Sequence, residues 1–353
     1  MCNDWLCTSQ CVLPPAVLRV FLDRAFETTI IDGVNRLGDR FRIILDVDTG
    51  IDDALAILYA LGRDNIELEA LTTIYGNVDV DTATRNSLQL LELAGRTDIP
   101  VARGVSRPLT QPFNGGALHV HGANGFGDFD MAPPKTKAVD TWGPDLLIDM
   151  ARRYPGEITL LAVSPMTNVA QALMKAPDIA TKFRKIVMMG STLVHPGIGG
   201  VVPPMVDANF HNDPEAARIV LHSGADLVAV GMDVTMHAKL RASDIDAISA
   251  SGGPAAKAAM EASRFYLEAY KGFYPGTDYC GLHDPLAVAL AEVPELATYE
   301  TLSADIECAG TLTRGQMLPD RRPSAPKDRQ VSVATDVDYE RFAKYFASAV
   351  AAQ

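Results

Sequence analysis

The chain has 353 residues, 48% of them hydrophobic and 21% charged, which is the balance of a globular protein with a sizeable core and argues against a disordered chain. A formal net charge of -13, with no Lys/Arg-rich stretch to offset it locally, argues against nucleic acid and acidic membrane surfaces as partners. No apolar run approaches the roughly 20 residues of a membrane helix, so a soluble protein is expected.

Residues 1–40 read as a peripheral N-terminal extension, followed by one large domain over 41–353. Three of the five cysteines (Cys2, Cys7, Cys11) crowd the start. They form neither an evenly spaced disulfide framework nor a C-x-x-C metal pair, and the segment lacks the basic and apolar regions of a signal peptide. A reducing cytoplasm is the expected home. From residue 41 short apolar runs alternate with amphipathic stretches. Residues 41–45 read as a strand, 52–61 as a helix, 67–74 as a strand and 79–94 as a helix closed by Gly95. Further strands are expected at 158–163, 185–189 and 227–230, with helices at 168–174 and 214–221. Strands at 302–308 and 330–333 and a helix at 339–350 complete the chain. Near-continuous Val/Ile/Leu strands, each followed by a helix, predict an α/β fold with a mainly parallel central sheet covered by helices on both faces, of the open Rossmann-like kind. Ligands of such sheets bind beyond the carboxyl ends of the strands. Two long loops, 111–142 and 191–212, have the length of lids or binding loops.

The first strand end carries the densest chemistry. Asp46-Val-Asp48-Thr-Gly50-Ile-Asp52-Asp53 places four carboxylates within eight residues across a glycine turn. One Asp there is an ordinary helix cap, but four raise one another's pKa or demand a cation, and an all-oxygen set suits a hard ion such as Ca²⁺ or Mg²⁺. Such an ion can keep positions open for a substrate diol and a water, acidifying the water while a spare carboxylate takes its proton. His283-Asp284-Pro285 opens an apolar helix. It reads either as a plain helix start or as a site in which the imidazole sits over a leaving group. Asp213-Pro214-Glu215 reads as the plain start alone. Ser164-Pro-Met-Thr167-Asn168 is either a turn with Thr167 capping the next helix or a turn that presents a backbone carbonyl to a metal.

The run Asp46 to Ala54 resembles the signature of the inosine-uridine nucleoside hydrolase family. Tyr75-Gly76-Asn77, His121-Gly122, Ser164 to Asn168, Met188-Met189-Gly190, Asn209, Asp213 to Ala217, His283-Asp284-Pro285 and Thr313-Arg314-Gly315 follow in the family's order. The resemblance implies Ca²⁺-dependent hydrolysis of the N-glycosidic bond of ribonucleosides to base and ribose, in a homodimer or homotetramer. It implies a Ca²⁺ held by Asp48, Asp53, Asp284 and the backbone carbonyl of Thr167. Asp48 would also be general base for the attacking water, with Asp46 as support. Asp52, Asn77 and Asn209 would bind the ribose hydroxyls, and Met189 would pack beneath the sugar. His121 belongs to the substrate-binding set. Because departure of the base needs a proton, His283 is the candidate acid. Tyr266 and Tyr270, four apart on one helix face, either flank the base or pack in the core.

Two positions depart from the family pattern. Asp207 stands where Glu is common, and Val201 where Asn is common; both usually meet the ribose 5′-hydroxyl, so altered 5′ recognition is expected. Two other readings compete: a haloacid-dehalogenase-type phosphatase, which shares the strand followed by D-x-D but gives no reason for Asp52-Asp53 or His283-Asp284, and a non-catalytic ribose- or nucleoside-binding protein on the hydrolase scaffold.

Overall fold

Strand β1 (Phe41–Val47) shows why the chain folds as a covered sheet. Successive strand side chains point to opposite faces. Ile43, Leu45 and Val47 enter one hydrophobic core while Ile44 enters another, all with no exposed surface. A strand apolar on both sides must be covered on both sides. The structure is a computed structural model describing residues 40–192 and 206–353. The cysteine cluster, the extension before Arg40, Val201 and most of the 191–212 loop lie outside those residues.

After β1 the chain forms helix α1 (Ile51–Leu61), β2 (Ile66–Thr73), α2 (Val80–Leu93) and β3 (Val101–Arg103). It then reaches β4 (Thr159–Ala162), β5 (Lys185–Met189), β6 (Leu227–Val230), the small pair β7 (Lys239–Arg241) and β8 (Tyr279–Gly281), and finally β9 (Ala297–Ile306), β10 (Met317–Asp320) and β11 (Gln330–Val337). The main sheet runs β10-β9-β11-β6-β5-β4-β1-β2-β3. From β11 to β3 its pairings are parallel, and β9 and β10 add an antiparallel edge. The predicted mainly parallel α/β sheet is therefore present.

The order has a consequence for function. From β1 the chain steps outward through β2 and β3, then returns to lay β4 on the other side of β1. That reversal is a topological switch point, where the loops after β1 and β4 diverge and open a crevice. Arg40–Gln353 form one compact unit. Among the described residues no helix is long and apolar enough to cross a membrane.

Several elements differ from expectation. The 111–142 loop contains a short helix, α3 (Leu118–His121), and helices at Gly143–Arg153, Ala242–Ser251 and Pro254–Phe273 fill regions without a clear pattern boundary. The chain beyond the undescribed segment resumes in a short helix, Ala208–Asn212.

Candidate active site

Helix α1 is buried along nearly its whole length and packs against the helix His283–Glu292. Two helix N-termini thus face the crevice, each with acids in its first turn: Asp52 and Asp53 on one, Asp284 on the other. Helix N-termini favour negative charge, which partly offsets the cost of burying these groups. Carboxylate oxygens of Asp52, Asp53 and Asp284 lie within 4.8 Å of one another. Asp48 sits beside them at 1% exposure, its carboxylate accepting the Asn77 N–H at 2.7 Å and the Asn77 side-chain amide at 3.3 Å. Asp53 accepts the backbone N–H groups of Asp48 (3.1 Å) and Gly50 (2.9 Å) and the Asn77 amide (3.1 Å). Asp284 lies in the first turn of its helix, whose cap position is Leu282, and makes no cap bond there.

The electrostatics follow from this crowding. Burial first, then the Asp53 charge, pushes Asp52 up to about 7 and Asp48 well above the carboxylate range. Burial, then the charges of Asp52, Asp53 and Asp48, raises Asp284 likewise. One Asp52 oxygen, Oδ1, is buried without a hydrogen-bond partner. Converging, buried, all-oxygen donors with an orphaned oxygen fit a hard divalent cation, whose charge lifts the mutual repulsion.

The turn geometry depends on a close approach. A Cβ on Gly76 would collide with Asp48 Oδ2, so the loop after β2 brings its backbone against that carboxylate only because residue 76 is glycine. Asp46 supports from below. It is fully buried, accepts hydrogen bonds from Thr72 Oγ1 (2.5 Å), Asn168 Nδ2 (2.7 Å) and Ser164 Oγ (3.1 Å), and so ties β1 to β2 on one side and to the turn after β4 on the other. Thr167 is the first residue of its helix (Thr167–Lys175), with Met166 at the cap position. Its hydroxyl contacts Asp213 and Tyr75, each at 2.7 Å.

Above the acids opens a cavity, a concave pocket with apolar walls and a few convergent polar groups of the kind small molecules occupy. Asp52, Asn77, His121 and Asp284 line its floor and one side; Met189, Asp207, Asn209, Tyr266, Tyr270 and His283 line the rest. Asp48, Asp53 and Thr167 are not among the lining residues. The Asn209 amide donates to the carbonyls of Val163 (3.2 Å) and Met189 (3.1 Å), at the ends of β4 and β5. Asp207 is spent differently: one oxygen accepts the Ser191 N–H and the other caps the helix Ala208–Asn212 through the Phe210 N–H at 3.0 Å.

A chain of polar groups lines the far wall. Thr235 Oγ1 lies 2.7 Å from His283 Nδ1, and His283 Nε2 is hydrogen-bonded to Tyr270 Oη, 3.4 Å from Tyr266 Oη. His121 accepts the Ile51 N–H at Nδ1 (3.1 Å), so its Nε2 carries the proton when neutral, and its ring stacks on Tyr266. Burial pushes His283 down to about 4 and, helped by the His283 charge, His121 down to about 3. The 3.9 Å approach of His121 Nδ1 to Asp52 is therefore no ion pair, since that nitrogen is the acceptor for Ile51.

A sequence profile described as inosine-uridine preferring nucleoside hydrolase matches residues 43–344. The chain belongs to that family. It is 41% identical over 289 residues to the probable uridine nucleosidase 2 of Arabidopsis thaliana, covering 80% of this chain and 86% of the relative. Among solved structures it resembles a plant nucleoside hydrolase (TM-score 0.84, 36% identity, 88% of this chain and 99% of the other). It also resembles the purine-preferring ribonucleoside hydrolase from Gardnerella vaginalis (TM-score 0.83, 36% identity, 88% and 98%). As a member it is a ribonucleoside N-ribosyl hydrolase, which removes the phosphatase alternative.

In this nucleoside hydrolase seven cavity residues lie outside the expected set: Ala117, His119, Val120, Val163, Ala208, Met232 and Phe273. Phe273 had a signal, since it extends Tyr266 and Tyr270 along one face at the spacing i, i+4, i+7. Ala117, His119, Val120 and Ala208 lie in the two long loops expected to bind ligand, whereas Val163 and Met232 had no signal.

Proposed function

We propose that the protein cleaves the N-glycosidic bond of ribonucleosides using a Ca²⁺ held by Asp48, Asp53, Asp284 and the Thr167 carbonyl. The observation that carries this reading is the buried convergence of Asp52, Asp53 and Asp284 beside Asp48, at a cavity that Asp52 and Asp284 line. When bound, the ion acidifies a water and orders the ribose 2′- and 3′-hydroxyls. Asp48 takes the proton of the attacking water. Asp52, whose Oδ1 has no protein partner, together with Asn77 and Asn209, orients the ribose, and Met189 packs under it. Positive charge that develops on the sugar in an oxocarbenium-like transition state is stabilised by the surrounding carboxylates. At the other end Tyr270, backed by His283 and Thr235, delivers a proton to the departing base. Both His283 ring nitrogens are engaged, so the imidazole acts through Tyr270 rather than by direct contact.

Incubation with a panel of purine and pyrimidine nucleosides is expected to release ribose, and chelation followed by Ca²⁺ readdition is expected to abolish and restore that release. Release unchanged by exhaustive chelation would overturn the Ca²⁺ reading.

The 5′ side of the sugar is read differently. Each Asp207 oxygen is engaged by a backbone N–H group, so this shorter side chain is held as a brace for the chain at Ser191 and Phe210 and is one methylene further from a 5′-hydroxyl than Glu would be. The expected result is that kcat/KM for 5′-deoxyinosine lies within about tenfold of inosine, about 1.4 kcal/mol of transition-state binding. A thousandfold penalty would show that the 5′-hydroxyl is still recognised.

A further inference from the structure

Asp213 reads from sequence as a simple cap for the helix Pro214–Leu221, and it does accept the Ala216 N–H at 3.1 Å through Oδ1. Its other oxygen does more. Asp213 is fully buried, and Oδ2 accepts both the Leu109 N–H at 2.9 Å and the Thr167 hydroxyl at 2.7 Å. An ionised carboxylate only accepts, and a hydroxyl has one proton. Thr167 therefore donates to Asp213, and the Tyr75 hydroxyl, 2.7 Å away on the other side, donates to Thr167 Oγ1. The resulting chain, Tyr75 to Thr167 to Asp213, has one direction. It joins three segments at the switch point: the loop after β2, the turn after β4, and the start of the helix at Pro214. Two residues beyond Tyr75 stands Asn77, whose N–H is bound to Asp48.

We propose that Asp213 is a positioning residue for the divalent-cation site. By holding the Thr167 hydroxyl it fixes the first turn of that helix and with it the direction of the Thr167 carbonyl, and through Tyr75 it steadies the loop that orients Asp48. This role rests on the cation reading given above. Partners of this outer kind are typically worth roughly 10–100-fold in metal affinity.

The test is Ca²⁺ titration calorimetry on the full chain and on Asp213→Asn, Thr167→Val and the double variant, with melting in chelator as a check on folding. Thr167→Val removes the hydroxyl while keeping shape and backbone, so it serves even where Asp213→Asn folds poorly. Each single variant is expected to bind Ca²⁺ roughly 10–100-fold more weakly, and the double variant no more weakly than the worse single, because both cut one link. Variants that bind like the wild type, or losses that simply multiply, overturn the positioning role alone. A wild type that takes up no Ca²⁺ overturns the cation reading and this role with it.

Discussion

Asp48→Asn is expected to lower kcat by roughly 10²–10⁴ at saturating Ca²⁺, the range over which a positioned base contributes, with little loss of folding stability. The substitution preserves shape, and an amide at this position still accepts the Asn77 N–H that the carboxylate holds at 2.7 Å. It also removes one of several buried like charges. Burial and the Asp53 charge already hold the Asp48 carboxyl well above its ordinary range, so the neutral variant is relieved of a repulsion that the wild type carries when no cation is bound. The measurement is kcat and KM for a nucleoside the wild type cleaves, beside thermal melting. A kcat within a few-fold of wild type would remove Asp48 from the role of base.

Tyr270→Phe is the second large expectation. It deletes the hydroxyl that links the cavity to His283 and leaves the ring, whose edge contact with Tyr266 has centroids 4.9 Å apart. For natural nucleosides kcat is expected to fall by roughly 10²-fold or more, the ordinary worth of a general acid. For p-nitrophenyl riboside, whose leaving group departs as a stable anion and needs no proton, the fall is expected to be several-fold at most. His283→Ala is expected to show the same split, and the double variant to be no worse than either single, as for one linked unit. Equal losses on both substrates would mean that these aromatics only pack. Tyr266 and Tyr270 are 2% and 3% exposed, so packing is one of their jobs in either case.

Much of this arrangement is legible in the sequence because it is local. The passage from β1 through Gly50 into α1 shows its apolar run, its turn and its acids within fourteen positions, from Phe41 to Ala54. The parallel sheet is legible because its strands are apolar on both faces. What was not legible depends on distance or brevity. Strands of three or four residues such as β3, β7, β8 and β10 are too short to show an alternation. Asp213 looked like a cap because its partner Thr167 is 46 positions away. Asp284 reads from its own segment as either a helix start or a site residue, the resemblance alone pointing to a metal ligand, and the packing of its helix against α1 brings it to Asp52 and Asp53. His119, Val163 and Met232 reach the cavity from three separate segments, and nothing in any one of them points to the others. The departure at Asp207 is visible in the sequence, but not that each of its oxygens accepts a backbone N–H.

The division of β1 between two cores also bears on how the protein must be handled. Its pairing sets Asp46 opposite Thr72 on one neighbour and Ala162 on the other, and its side chains alternate between faces. A slip of a single residue would carry Leu45 to the face that Ile44 and Asp46 occupy and drive Asp46 into the apolar layer under α1, with every pairing still nominally made. Circular dichroism would barely register such an error, whereas ribose release would vanish. For preparations recovered from denaturant, catalytic turnover is thus the sensitive gauge of whether the central strand has found its proper neighbours.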